Sequence, residues 1–496
     1  MHLTEQIDAV RVEVSGKLDP TRRSELGQFM TPSPTAAFMA SLFKNAHQPA
    51  ARLLDAGAGV GSLTTAFLER CFSGWGAFHE VDVVTFEIDP LLQGHLRENL
   101  ARYQVLARSR GVDVKVAVHP KDFIETAARQ LLREDFQPCT HAILNPPYKK
   151  INSDSPHRRW LRTVGIETVN LYTAFLALAV DLLAQGGEMV AIVPRSFCNG
   201  TYYRPFRERF LHKVSIQQIH LYEARDKAFK DGDVLQENII LHLVKGEPQG
   251  TVIVSTSTDD SLHDYQSHTY PFGQIVKPGD AESYIHIPTG PALCPIEASG
   301  SITHSLADIG ISASTGPVVD FRAKEHLRTH PEENTVPLLY PAHFGATTIA
   351  WPKAGGKKPN ALVQHRDTQK SLYPNGYYTV VRRFSSKEEK RRIVANVVDP
   401  ARFPTEYLGF ENHLNVFHEK KAGLSREMAY GLFVFLSSSQ VDAYFRRFNG
   451  HTQVNVGDLK QMKYPSRAAL LALGEWALTH EVLLQETIDQ RVAALA

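Results

Sequence analysis

Asn145-Pro146-Pro147-Tyr148 follows the apolar run Ala142-Ile143-Leu144, so the tetrapeptide falls at the carboxyl end of a strand, where open α/β sheets do their chemistry. The Asn145 side-chain oxygen and the Pro146 carbonyl can together accept both hydrogens of an exocyclic amine. The paired prolines fix the backbone and remove competing donors. Tyr148 adds a flat face on which a planar ring can stack. Such a cradle suits methyl transfer to an amino nitrogen conjugated to a ring or carbonyl, whose lone pair must be drawn out of conjugation. Asn-Pro and Pro-Pro also punctuate ordinary turns, so the tetrapeptide needs supporting features elsewhere in the chain.

The first lies upstream, where the apolar Leu53-Leu54 runs through Asp55-Ala56-Gly57-Ala58-Gly59-Val60-Gly61 into a helix. Gly57, Gly59 and Gly61 let the backbone approach a ligand closely at a helix start, as dinucleotide enzymes do with a pyrophosphate. Asp55 would repel a pyrophosphate and attract a cationic amino group, which favours S-adenosylmethionine. A second strand, 81–86, ends in Glu87-Ile88, an acidic residue for a ribose diol and an apolar one for an adenine ring. A third, 112–118, leads to Asp122-Phe123, a carboxylate for the exocyclic amine of the cofactor and a ring for its base. Each has an ordinary reading as well, Glu87 as a solvated strand end, Asp122 as a helix cap and Phe123 as core.

These motifs, in this order, resemble the γ group of class I, S-adenosylmethionine-dependent DNA methyltransferases that modify adenine at its exocyclic amine. Gly27-Gln28-Phe29-Met30-Thr31-Pro32 precedes the glycine turn as in that group, and the resemblance implies that Gln28, Phe29 and Thr31 cover the methionine part of the cofactor. Asn170 to Phe175 and Gly186 to Pro194 are similar to the family's helix and strand after the catalytic motif. Ala228 to Ile240 looks like the segment whose aromatic residue faces the catalytic tyrosine across a flipped base, a role that falls to Phe229, with Phe197 as competitor. Later stretches, Ser314–Arg322, Arg382–Glu389, Glu411–Asn415 and Gly450–Asn455, are similar to the branch of modification methylases that includes PstI and BsuBI. The resemblance implies a type II modification enzyme that acts as a monomer on a short duplex sequence. It also implies a cognate restriction endonuclease in the same cell, without a stable complex. The tetrapeptide suits any planar amide or amine, so an RNA base or a protein glutamine is an alternative acceptor. A non-catalytic DNA-binding defence subunit is another reading.

Strand-like runs at 51–54, 81–86, 112–118, 139–144 and 188–194 alternate with helical segments, which predicts a Rossmann-like α/β domain with a doubly wound mixed sheet over residues 1–248. Past residue 250 the texture changes to short β-like runs, prolines and loops, with helical periodicity at 426–448 and after Ser466. That predicts an α+β target-recognition domain over 249–496. A chain of 496 residues is long enough for two cores, and 43% hydrophobic with 22% charged residues is ordinary for a globular protein. No apolar run is long enough to span a bilayer and the amino terminus lacks a secretory pattern, so a cytoplasmic enzyme is expected. Cys71, Cys139, Cys198 and Cys294 show neither metal nor disulfide spacing, and no metal is expected.

The net charge of +1 argues for local rather than global attraction to DNA. Lys149, Arg158 and Arg159, on the stretch leaving the catalytic turn, are the expected phosphate contacts. Arg382, Arg383, Asn412, His413, Asn415, His451 and Gln453 are the side chains expected to reach base edges.

Overall fold

The computed structural model describes residues 3–17, 29–44, 49–222, 237–290, 295–385, 389–449 and 453–495. The chain divides into two compact units, Met1–Thr289 and Gly290–Ala496.

The first unit is built on a nine-stranded sheet. Its strands are β1 (Ala50–Ala56), β2 (Glu80–Phe86), β3 (Asp113–His119), β4 (Cys139–Leu144), β5 (Leu183–Pro194), β6 (Val214–Tyr222), β7 (Asn238–Lys245), β8 (Thr251–Ser257) and β9 (Gln266–Pro271). They lie in the order β3-β2-β1-β4-β5-β7-β6-β8-β9. The first five pair in parallel, β7 runs antiparallel to both β5 and β6, and β8 is parallel to β6. This is the mixed α/β sheet expected from the sequence. The central strands read as unbroken apolar runs because both their faces are covered. Leu54, Ala142 and Leu144 pack into one core with the helix Leu171–Leu182, while Leu53, Ile143 and Val190 pack into another with the helix Ser62–Phe72.

From β1 the chain winds outward through β2 and β3 and then returns to β4 on the other side of β1, with Leu54 level with Ala142. The direction of winding therefore reverses between β1 and β4, and their carboxyl ends open a crevice there. The glycine turn leaves one of these strands and the Asn-Pro-Pro-Tyr motif leaves the other.

The unit boundary differs from the expected division at 248/249. Strands β8 and β9 lie beyond it and extend the same sheet at its edge, β8 pairing with β6 and β9 with β8, so the β-rich texture after residue 250 begins inside the first unit.

The second unit holds a four-stranded sheet, in the order Ser312–Thr315, Leu414–His418, Tyr378–Arg382, Ala395–Val398, and a five-stranded one. The helices Arg426–Leu436, Ser439–Phe448 and Arg467–Leu478 enclose a core with Met428, Phe435, Phe445 and Leu470. The periodicity over 426–448 resolves into two helices because Ser438 interrupts it and caps the second, accepting from Val441 N at 3.3 Å. Among the described residues no helix is long and apolar enough to cross a membrane.

Candidate active site

Gly57, Gly59 and Gly61 have φ of 80°, 58° and 91°, backbone that residues with a Cβ adopt at a cost, so the turn between β1 and the helix Ser62–Phe72 requires glycine. At Gly61 a Cβ would also lie 2.9 Å from Leu96 Cδ1. A Cβ on Gly57 would touch the Asn145 carbonyl oxygen and Pro147 Cδ at 3.9 Å, which places the two sequence motifs in contact.

Asn145 is the best-defined polar group there. Its Nδ2 donates to the Phe29 carbonyl at 2.6 Å and to Thr31 Oγ1 at 2.9 Å, so both amide hydrogens are spent on the segment before the glycine turn. Its Oδ1 accepts from the Tyr148 hydroxyl at 3.0 Å and keeps a further lone pair. The amide is thereby held with its acceptor end available. Tyr148 OH also reaches the Ile192 carbonyl at 3.3 Å, and burial pushes its phenol well above the ordinary range. The Tyr148 ring lies 5.9 Å from that of Phe29 and 6.2 Å, edge-on, from that of Tyr172. Pro146 is buried and Pro147 lines the crevice.

The crevice is a cavity of about 330 Å³. Its walls include Phe29, Gly57, Gly59, Phe86, Ile88, Phe123 and Phe175, and its polar groups include Thr31, Glu87, Asp122 and Asn145. Apolar walls with a few fixed carboxylates and amides are what a nucleoside-bearing ligand needs. Glu87, at the end of β2, accepts from Gly59 N at 2.9 Å and Asp89 N at 2.8 Å, so it fastens the glycine turn. Burial raises its carboxyl against those hydrogen bonds. Ile88 next to it is 49% exposed, an apolar side chain left open at the cavity wall. Asp122 caps the helix Phe123–Arg133, accepting from Glu125 N at 2.8 Å, and its other oxygen lies 2.9 Å from His157 Nε2. Burial raises the Asp122 carboxyl, and the His157 and Glu125 hydrogen bonds outweigh it to leave the group lowered; the same pairing raises the His157 imidazole.

Several lining residues were not expected, among them Met30, Lys121, Ile151, Ser155 and His157. Met30 adjoins Phe29 and Lys121 adjoins Asp122, whereas Ile151, Ser155 and His157 come from the segment after the catalytic motif, which is tied back by Ile151 N to Val169 O at 2.8 Å and Leu171 N to Lys149 O at 2.8 Å. Ser155-Pro156, a cap followed by proline, is a helix-start signal present in the sequence, and the helix it starts turns His157 toward Asp122.

Asp55 and Ala56 do not line the cavity. Asp55 is fully buried beneath the turn, where its Oδ2 accepts from Thr64 Oγ1 at 2.6 Å and its Oδ1 has no hydrogen-bond partner among the described residues. Burial pushes its carboxyl up to about 7. The expected carboxylate facing a cationic ligand is instead a brace between β1 and the following helix. Gly61 also lies behind the cavity wall, packed on Leu96. Gln28, Phe229 and His451 lie outside the described residues. Phe197, the competitor to Phe229, is fully buried against Phe206 and Phe210 and presents no face to a base.

Two expected phosphate contacts are exposed, Lys149 on the cavity rim and Arg159. The third is not: Arg158 is 8% exposed, donates to the Thr168 carbonyl and pairs with Glu167, so it holds its loop rather than facing a phosphate. In the second unit Asn415 is likewise fully buried, donating to the Val454 carbonyl at 2.7 Å, and is a bracket rather than a reader. Arg382 is paired with Glu389. Arg383, Asn412, His413 and Gln453 converge on one turn.

The Eco57I restriction-modification methylase family matches residues 140–229. Over 500 residues, 99% of this chain and 98% of that protein, the chain is 51% identical to type II methyltransferase M.BsuBI of Bacillus subtilis. It is 43% identical over 467 residues, 94% of this chain and 92% of that protein, to type II methyltransferase M.PstI of Providencia stuartii. Among solved structures, the type IIL restriction-modification enzyme MmeI in complex with DNA shares the fold with a TM-score of 0.55 at 9% identity, over 99% of this chain and 73% of that chain.

Proposed function

The chain belongs to the type II methyltransferases of restriction-modification systems, and on that premise we propose that its acceptor is the exocyclic amine of an adenine flipped out of a short duplex DNA sequence. S-adenosylmethionine, when bound, supplies an activated methyl group. The observation that carries the adenine reading is the fixed Asn145 amide, whose hydrogens are both engaged and whose oxygen keeps a lone pair beside the Pro146 carbonyl. An amine held by two acceptors has its lone pair turned out of the ring plane, toward a donor. Tyr148 supplies the stacking face, and the described partner rings, Phe29 and Tyr172, hold it upright.

For the cofactor, Glu87 and Ile88 take the ribose and one side of the adenine, Asp122 takes the amine of that adenine, and Phe123 its other side; Phe29 and Thr31 cover the methionine part. These residues all line one cavity, which supports the assignment. No side chain need act as a strong base, because the methylated amine becomes acidic and releases its proton afterwards. Rate enhancement rests on positioning and on fixed dipoles. The second unit binds and reads the duplex. The enzyme works in the cytoplasm as a monomer, alongside a cognate endonuclease to which it is not stably bound.

Nucleoside mass spectrometry tests this on DNA from a host lacking adenine methylation that expresses the wild type or Asn145→Ala. Methyladenine appearing only with the wild type is expected. Methylcytosine in its place would overturn the adenine reading, and unmodified DNA from a folded, cofactor-binding protein would turn attention to an RNA or protein acceptor.

A further inference from the structure

Four stretches that the transfer chemistry leaves unused, Ser314–Arg322, Arg382–Glu389, Glu411–Asn415 and the end of Gly450–Asn455, meet around one turn of the second unit. Gly316 N donates to Leu414 O at 2.8 Å, Asn412 N to Val318 O at 2.9 Å, Arg383 N to His413 O at 2.8 Å and Val454 N to Arg383 O at 2.7 Å. The approach is close enough that a Cβ on Gly316 would lie 2.2 Å from the Glu411 carbonyl oxygen. Distant parts of the chain are thus spent on building the turn Glu411–Asn415.

At its centre Glu411 is fully buried. One carboxylate oxygen accepts from His413 N at 2.9 Å and the other lies 2.5 Å from His413 Nδ1. With Glu411 ionised, Nδ1 must carry the proton, because a carboxylate can only accept; Nε2 is left for an outside partner. The His413 side chain is 42% exposed. Phe384, 40% exposed, lies 4.9 Å from the imidazole, and the Arg383 guanidinium is 5.8 Å from the Phe384 ring. Arg383 in turn reaches the Asn412 carbonyl at 3.3 Å and Gln453 Oε1 at 3.4 Å. The short turn Asp320–Arg322, which follows Val318, carries a similar pair: Phe321 is 68% exposed with the Arg322 guanidinium 5.5 Å from its ring. A buried carboxylate spent on aiming one exposed imidazole, with the exposed Phe384 ring beside it and the half-buried Arg383 guanidinium next to that ring, is costly unless the face has a partner.

We propose that this face reads the duplex: His413, aimed by Glu411 and backed by Phe384, contacts a base edge through Nε2, and Arg322 holds a backbone phosphate. The inference rests on the DNA reading above. A polar ring atom fits the donor and acceptor pattern of the major groove, an exposed phenyl ring suits a thymine methyl, and a guanidinium suits phosphate. Glu411 is a positioning residue that acts through His413.

The test uses the full chain and the variants His413→Ala, His413→Asn, Phe384→Ala, Glu411→Gln and Arg322→Ala, with long-read mapping of methylated sites and affinities for the methylated sequence and a scrambled duplex at two salt concentrations. His413→Ala is expected to lose about 5- to 150-fold in preference for the methylated sequence and to relax methylation at one base position. Glu411→Gln relaxes the same position to a smaller extent, which loss of fold alone does not do; His413→Asn, a smaller change, serves if another variant misfolds. Arg322→Ala weakens both duplexes alike and reduces the salt slope by about 1. Cofactor binding stays unchanged throughout. A wild type that leaves DNA unmodified defeats the proposed function and this inference with it. A wild type with a defined sequence, matched in site and rate by His413→Ala and Phe384→Ala, defeats this inference alone. So does concentration-dependent dimerisation of the wild type that these variants abolish, which would make the face an interface between copies.

Discussion

At Asn145 the decisive property is the direction of one amide. Asn145→Ala removes the acceptor together with the two bonds to Phe29 and Thr31; turnover is expected to vanish, while cofactor affinity, read by calorimetry and resting mainly on Glu87, Ile88, Asp122 and Phe123, is expected to stay within a few-fold. Equal loss of binding would sink the role. Tyr148→Ala removes the stacking face and is expected to weaken capture of the extruded base by about 1–3 kcal/mol, seen as a smaller 2-aminopurine fluorescence change at the target position. Asp55 makes a different prediction. Its carboxyl is raised by burial to about 7 from 3.8, so the folded state binds its proton more tightly than the unfolded chain does. The associated stability is present below pH 3.8 and is lost as pH rises toward 7, on the order of 4 kcal/mol in all. Asp55→Asn cannot ionise. Thermal melts should therefore show the wild type losing ground to the variant between pH 4 and pH 7.5, and parallel curves would refute the assignment.

Among the elements, the glycine turn and the helix after the catalytic motif do the positioning. Gly61→Ala must hold an alanine at φ 91° against Leu96, and a loss of roughly 1–2 kcal/mol in denaturant unfolding is expected from the backbone alone. The helix Pro156–Thr163 is pinned to the cavity by His157 on Asp122. Since the pair raises the imidazole, the protonated form is favoured: its contribution is complete below the ordinary 6.5 and disappears as pH climbs through the raised value. The His157 ring signals in NMR should titrate above 6.5, and Asp122→Asn should bring them back down.

For the whole molecule, the position of the unit boundary carries the consequence. Because β8 and β9 complete the first sheet, a chimera that exchanges residues 290–496 with a family relative keeps that sheet whole, whereas one joined at 249 replaces its edge strands. The first is expected to fold and to methylate the relative's sequence; the second is expected to unfold at lower temperature in calorimetry. Equal stability of the two would mean that β8 and β9 contribute little to the first unit.

The place of the candidate site was legible in the chain because it depends on local backbone: Asn-Pro-Pro-Tyr, the glycine turn and Asp122 mark strand ends and a helix start within a few residues, and the apolar runs of β1, β2 and β4 announce strands covered on both sides. The same locality explains what misled. Asp55, Arg158 and Asn415 are charged or polar in sequence and buried in the fold, and burial is set by partners such as Thr64, Glu167 and Val454 that sequence distance hides. The edge strands β8 and β9 lack the unbroken apolar runs of the central ones, so only hydrogen bonding, of β8 to β6 and of β9 to β8, assigns them to the sheet. Tertiary structure alone decided which way the Asn145 amide points, that Asp122 meets His157, and that four separate stretches close on Glu411. Each is a contact between residues far apart along the chain, and side-chain type constrains such contacts without choosing them.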